Sequence, residues 1–136
     1  MSRREAREVV FKTLFEQDLN PGLELSVAIQ TAKDENQTLT GKDEEFALYV
    51  LNGVAANIKD IDAFIEESSA QWRISRMAAV DRAILRLATF EMKFGEEKLT
   101  SKIVINEAVE LAKKYGSDES SRFINGVLSG ILKKTE

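Results

Sequence analysis

The chain has no cysteine and no histidine. Their absence excludes disulfides, thiolate zinc sites, imidazole metal sites and every Ser-His or Cys-His nucleophilic arrangement. Carboxylate pairs remain chemically available among the 23 acidic residues, but charge on helix surfaces accounts for nearly all of them, so catalysis is not expected. Nor is a cofactor or metal. Gly41-Lys42 lacks the GxxxxGK[ST] frame and the preceding strand of a phosphate loop. Asp43-Glu44-Glu45 reads as favourable negative charge at a helix start rather than as a metal site.

Proline occurs once, at Pro21. No apolar run approaches the ~20 residues that span a bilayer, and the N-terminus lacks the apolar segment of a signal peptide. A cytoplasmic protein without membrane contact is expected. The 136 residues are enough for one domain, 1–136, with an apolar interior that needs no covalent staple.

What is present is helical periodicity, punctuated by Gly22, Gly41, Gly95 and Gly116, and it predicts an all-α fold of about seven helices. The first covers Arg3 to Leu19 and stops at Asn20-Pro21-Gly22. The second runs from Leu23 to about Gln37, the third from near Asp43 to about Asn57, and the fourth from about Asp60 to Ser69. The fifth spans about Arg76 to Phe94, and the sixth about Lys102 to Tyr115. The seventh follows Ser117 or Asp118 as N-cap. A boundary between Glu67 and Trp72 would divide the domain into parts 1–70 and 71–136.

The fifth helix is apolar on several sides. Met77, Val80, Ile84, Leu87 and Ala88 form one stripe, flanked by Leu85 with Met92 and by Ala83 with Phe90. Such a helix belongs at the centre of a fold. Glu91 falls in line with the main stripe, so it needs a cation or N–H partner, or else an edge position that reaches solvent.

The formal charge of -4 hides a gradient. Residues 1–15 carry +2, residues 16–70 carry -9, residues 71–94 carry +3, and the remainder is balanced. Local charge therefore decides what the surface attracts. On the first helix Ala6, Val10, Thr13, Leu14 and Gln17 form the expected core face. Arg4, Arg7, Phe11 and Phe15 follow one another at spacings of 3, 4 and 4 and form a ridge beside it. Arginines interleaved with rings suit single-stranded nucleic acid, guanidinium groups meeting phosphates and rings stacking on bases. Alternatively, Phe11 and Phe15 widen the core and the arginines are a solvated end. A second patch, KKYGSDESSRF, offers Lys113, Lys114 and Arg122 with Tyr115 and Phe123, although Phe123 also fits the margin of the stripe Ile124, Val127, Leu128 and Ile131. Gly126 and Gly130 would let another backbone approach, most simply within the domain.

Three stretches together, RREAR with the apolar helix after it, WRISRMAAVDRAILRLATFE, and INEAVELAKKYGSDESSRFINGVL, resemble the NusB family of bacterial transcription antitermination factors. The resemblance spans nearly the whole chain in order and spacing. It implies two packed helical bundles, and binding of single-stranded boxA RNA in rRNA leader transcripts together with the ribosomal protein NusE, within the RNA polymerase antitermination complex. By position it places RNA at Arg3, Arg4, Arg7, Phe15, Lys113, Tyr115, Arg122 and Phe123, and NusE at Asp81, Arg82, Arg86 and Glu91. The chain departs from the family pattern at Glu5, which interrupts the basic run, and at Thr100-Ser101-Lys102, where a proline is common. Two other readings are a homodimeric helical adaptor that binds no RNA, and the RNA-binding front of an rRNA cytosine methyltransferase. The second needs a nucleophilic cysteine and a downstream Rossmann-like domain, and these residues hold neither.

Overall fold

Ser2 and Glu5 start the first helix. The Ser2 hydroxyl accepts the Glu5 N–H at 3.1 Å, and the Glu5 carboxylate accepts the Ser2 N–H at 3.2 Å. This reciprocal capping box satisfies two of the backbone donors that a helix start leaves open. Glu5 thus interrupts the basic run because the helix begins there. Helix α1 spans Arg3–Leu19 and stops at Asn20, ahead of Pro21.

The computed structural model describes residues 1–70, 72–95 and 100–135; Gln71, in the expected boundary stretch, lies outside them. After α1 come α2 (Leu25–Glu35), α3 (Gly41–Ala56), α4 (Ile58–Ser68), a 3-10 turn at Ile74–Arg76, α5 (Ala79–Lys93), α6 (Ser101–Tyr115) and α7 (Asp118–Thr135). Among the described residues there is no strand, and the expected all-α class with seven α-helices is what forms. No described helix is long and apolar enough to cross a membrane.

The main departure from the periodicity is the start of α5. The helical pattern predicts a beginning near Arg76, but Met77 and Ala78 are extended and the helix starts at Ala79. Arg82 explains the break. Its Nη1 donates to the carbonyls of Ile74 at 3.0 Å and Met77 at 3.2 Å, holding the 3-10 turn back on the first turn of α5. Met77 still points inward and is buried, so the apolar pattern survives the change of backbone.

Helix α5 packs against α1, α3, α4, α6 and α7. That central position is what its several apolar sides require, and Ala83, Ile84, Leu85, Leu87, Ala88 and Phe90 are all buried. Helices α1, α2 and α3 form one bundle on it, and α4, α6 and α7 the other. Helix α4, although it precedes residue 70, packs chiefly on α5 and α7. Two glycines matter for these contacts. A Cβ on Gly53 of α3 would overlap the Phe90 ring of α5, and one on Gly130 of α7 would lie 3.3 Å from the Ser68 Cβ of α4. Gly130 therefore serves packing within the chain, whereas Gly126 faces open space.

Candidate nucleic-acid interface

The arginines of α1 diverge instead of forming one exposed ridge. Arg3 extends toward α3, with its guanidinium 4.3 Å from the centre of the Phe46 ring and its Nε 3.7 Å from Asp43. Arg4 points to α6, where Nε and Nη2 bond the two oxygens of Glu107 at 3.0 and 2.9 Å. Arg7 turns inward. It is buried, donates to Glu91 of α5 at 2.8, 3.0 and 3.2 Å, and lies 5.2 Å from the Phe46 ring centre. The expected cation partner of Glu91 is therefore Arg7. Spacing does not separate Arg7 from Arg4; tertiary packing does, because Phe46 of α3 and Glu91 of α5 close over Arg7 whereas Arg4 meets Glu107 of α6.

Phe11 is also buried, and Phe15 is half-buried against the core. Between α1 and the end of α6 the side chains interlock. Lys114 Nζ donates to Glu8 at 2.8 Å and the Tyr115 hydroxyl donates to the other Glu8 oxygen at 3.0 Å. The Tyr115 ring lies 4.9 Å from that of Phe11, which is 6.0 Å from Phe15. Lys12 and Lys114 place their ammonium groups 5.7 and 5.5 Å from the Tyr115 ring centre. Because Arg4, Glu8 and Phe11 meet Glu107, Lys114 and Tyr115 in that order, α1 and α6 run in the same direction here. Burial alone would raise the Glu8 carboxyl, but the hydrogen bonds from Lys114 and Tyr115 and the charges of Lys114 and Lys12 outweigh it and hold it below the usual carboxylate range.

Lys113 is exposed beside Glu110, at 3.9 Å. Arg122 is exposed near the start of α7. Phe123 takes a different direction from Tyr115. It borders a cavity of about 440 Å³ with Trp72, Arg76, Asp81, Ser117 and Ser120. The start of α7 is set by Ser117, whose hydroxyl accepts the Ser120 N–H at 3.1 Å, as the N-cap reading anticipates. Asp81 sits in the first turn of α5, where the helix dipole favours its charge. It is buried, one of its carboxylate oxygens has no hydrogen-bond partner, and burial pushes its carboxyl up against the opposing pull of the Ser120 hydroxyl. Trp72, half exposed on the rim, completes this second cluster.

The two α5 arginines are committed within the chain. Arg82 Nε donates to Asp18 at 2.9 Å, while Arg86 bonds both oxygens of Asp62 at 2.9 and 3.0 Å and reaches Asp18 at 3.4 Å. They fasten the end of α1 and the middle of α4 to α5. Of the four α5 residues assigned by resemblance to a protein partner, Asp81 alone borders a cavity with an unused polar atom; Glu91 also lines a cavity, of about 350 Å³, but both its oxygens are taken by Arg7.

Sequence reasoning overlooked Lys12, Glu8 and Trp72. Lys12 follows Phe11 directly and lies four residues after Glu8, a spacing that puts both beside one another on α1. Nothing in the linear sequence places either one against Tyr115, which is more than a hundred residues away.

In class, then, this is an all-helical protein with cations and rings gathered on one surface; among its described residues no cluster of acidic side chains could hold a metal. Residues 4–133 match the NusB family, and the chain belongs to it. The transcription antitermination protein NusB of Agathobacter rectalis is 43% identical over 129 residues, spanning 95% of this chain and 98% of the relative. T. maritima NusB superposes with a TM-score of 0.89 at 34% identity, covering 98% of this chain and 92% of that one. A chain in the crystal structure of antitermination factors NusB and NusE in complex with dsRNA gives a TM-score of 0.88 at 30% identity, covering 97% and 96%.

Proposed function

We propose that this protein is a non-catalytic, cytoplasmic transcription antitermination factor that binds single-stranded boxA RNA of rRNA leader transcripts jointly with NusE, as part of the RNA polymerase antitermination complex. Its family membership, and a structural neighbour in which NusB and NusE are in complex with dsRNA, support RNA binding with NusE over a methyltransferase front or an adaptor without RNA; the preference for a single strand rests on the interleaved cations and rings. The observation that carries the RNA surface is the cluster of Lys12, Phe15, Lys114 and Tyr115 where α1 meets α6. Cations there attract the phosphate chain, and the exposed edges of the rings receive unstacked bases.

In our reading RNA meets Arg4 and Phe15 on α1, Lys113 and Tyr115 on α6 and Arg122 on α7, with Arg3 at the α3 edge; Phe123, which the resemblance assigns to RNA, instead lines the cavity beside Asp81 and Trp72. Arg7 supports the RNA surface from beneath, by fixing α1 to α5. We assign NusE to the cavity beside Asp81 and Trp72, with Arg82 holding the Ile74 and Met77 carbonyls next to it and Arg86 tying α5 to Asp18 of α1 and Asp62 of α4. The acidic segment 16–70 repels RNA from the rest of the surface.

The test is an RNA titration with and without NusE at two salt concentrations. Replacing Arg3 and Arg4 with alanine is expected to weaken boxA binding and flatten the salt dependence by about 0.7 in log K per log salt for each phosphate that is no longer neutralised. Asp81→Lys is expected to impair NusE association while leaving most of the intrinsic RNA affinity. A duplex of the same sequence serves as comparison. Unchanged RNA affinity in the arginine variant, or equal preference for the duplex, would refute the single-strand surface, and normal NusE binding by Asp81→Lys would refute the partner site.

A further inference from the structure

The cations of the α1–α6 surface are already neutralised by carboxylates of the same chain. Arg4 gives its Nε–Nη2 edge to Glu107, and Lys114 gives its ammonium to Glu8. These pairs border a polar cavity of about 240 Å³ between the two helices, with Glu110 at its rim. The partners differ in exposure. The Arg4 and Lys114 side chains are 65% and 59% exposed, whereas Glu107 and Glu8 are 20% and 21% exposed. The acids are set into the surface on short stems, while the cations reach them from long side chains whose heads remain in solvent.

A carboxylate that receives two parallel N–H bonds from one arginine presents it with two oxygens, as a phosphate does. Glu107 does this to Arg4. We infer that the cleft between α1 and α6 is a seat for a phosphate of the RNA backbone, that Glu107 and Glu8 occupy it in the free protein as internal phosphate mimics, and that RNA must draw Arg4 and Lys114 away from them. This inference rests on the RNA-binding reading above and adds to it a restraint on intrinsic affinity. Two physical consequences follow. Part of the attraction between the basic surface and RNA is cancelled before RNA arrives. The carboxylates beside these cations also lower the net positive charge that displaces condensed counterions from the RNA, so the salt dependence of binding is shallower than the number of basic residues on the surface would give.

Glu107→Gln keeps the size and the helical position of the side chain but removes its charge. It is expected to tighten boxA RNA binding by about two- to fivefold, the equivalent of one exposed ion pair, and to steepen the salt slope by about 0.7. Glu8→Gln is expected to act in the same direction through Lys114. Glu35→Gln, at an exposed position on α2, controls for the change in net charge and is expected to leave affinity unchanged. The deciding arm is the double variant: in an Arg4→Ala background, Glu107→Gln is expected to have no effect, because the cation it would release is gone. An equal gain from Glu35→Gln, a gain from Glu107→Gln that persists without Arg4, or no gain at all would overturn the inference while leaving RNA binding intact. Failure of the unsubstituted protein to bind boxA RNA, alone or with NusE, would instead overturn the functional reading and the inference with it. Sodium phosphate titrated onto Glu107→Gln at constant ionic strength separates a free-anion site from a backbone site. No saturation is expected, and saturable binding would reassign the seat to free phosphate.

Discussion

Replacing Arg7 with alanine should damage this protein in a way that replacing Arg4 does not. The Arg7 and Glu91 side chains are 6% and 9% exposed and share three hydrogen bonds. Removing the arginine leaves a carboxylate buried between α1, α3 and α5 without a counter-charge, and breaking such a pair costs about 3–5 kcal/mol. Unfolding entropy of about 2.1 cal/mol/K per residue gives about 0.29 kcal/mol/K for 136 residues, so the melting temperature should fall by roughly 10–17 °C. Circular dichroism or calorimetric melts at neutral pH would measure this. Arg4→Ala, on an exposed side chain, should leave the melting temperature nearly unchanged. Arg7→Met combined with Glu91→Leu removes both charges and fills the space, and should recover most of the loss, because the cost lies in the uncompensated charge and not in the pair as such. RNA affinity, measured well below the transition, should not follow stability: it should be weakened by Arg4→Ala and largely kept in the double variant. If Arg7→Ala melts within about 3 °C of the parent, or if the double variant is no more stable than the single one, the assignment of Arg7 to the interior support of α1 is wrong.

Two further outcomes are expected. Gly53→Ala should destabilise by about 1–3 kcal/mol, since its Cβ would overlap the Phe90 ring and force α3 away from α5; combining it with Phe90→Leu should restore part of the loss in a urea titration, and an additive penalty would contradict the contact. The Glu8 carboxyl is lowered from 4.5 in the folded protein, so its contribution to stability is present above that value and is lost as pH falls through the lower folded value. Glu8→Gln should therefore lose less stability than the parent over that acidic interval, and parallel acid denaturation curves would count against the Glu8–Lys114–Tyr115 cluster.

The puzzle of Glu5 shows how far local sequence can be read. Ser2 and Glu5 stand in the S-x-x-E spacing of a capping box, so the reason an acid interrupts RREAR was available without any structure. Seen only as a charge, Glu5 looks like a weakness in a nucleic-acid surface. Seen as a cap, it starts the helix that carries that surface. The same holds for Glu91. Its place on an apolar stripe demanded a partner, but periodicity within α5 could not name Arg7, which lies 84 positions earlier. The 3-10 turn before α5 was illegible for a similar reason, because the carbonyls of Ile74 and Met77 are held by Arg82 and not by the helix pattern.

By itself the sequence determined the seven helices, their approximate ends, the central position of α5 and the concentration of basic charge on α1, because each depends on propensity, periodicity or composition over neighbouring residues. The three stretches shared with the family carried the functional reading further. Tertiary structure alone decided which arginine faces outward. Arg3, Arg4 and Arg7 look equivalent in a basic run, yet one lies against a ring, one is paired at the surface and one is buried in an ion pair. A side chain's charge belongs to its residue, but its availability depends on what other helices bring within 3 Å, and that is settled only when α3, α5 and α6 close around α1.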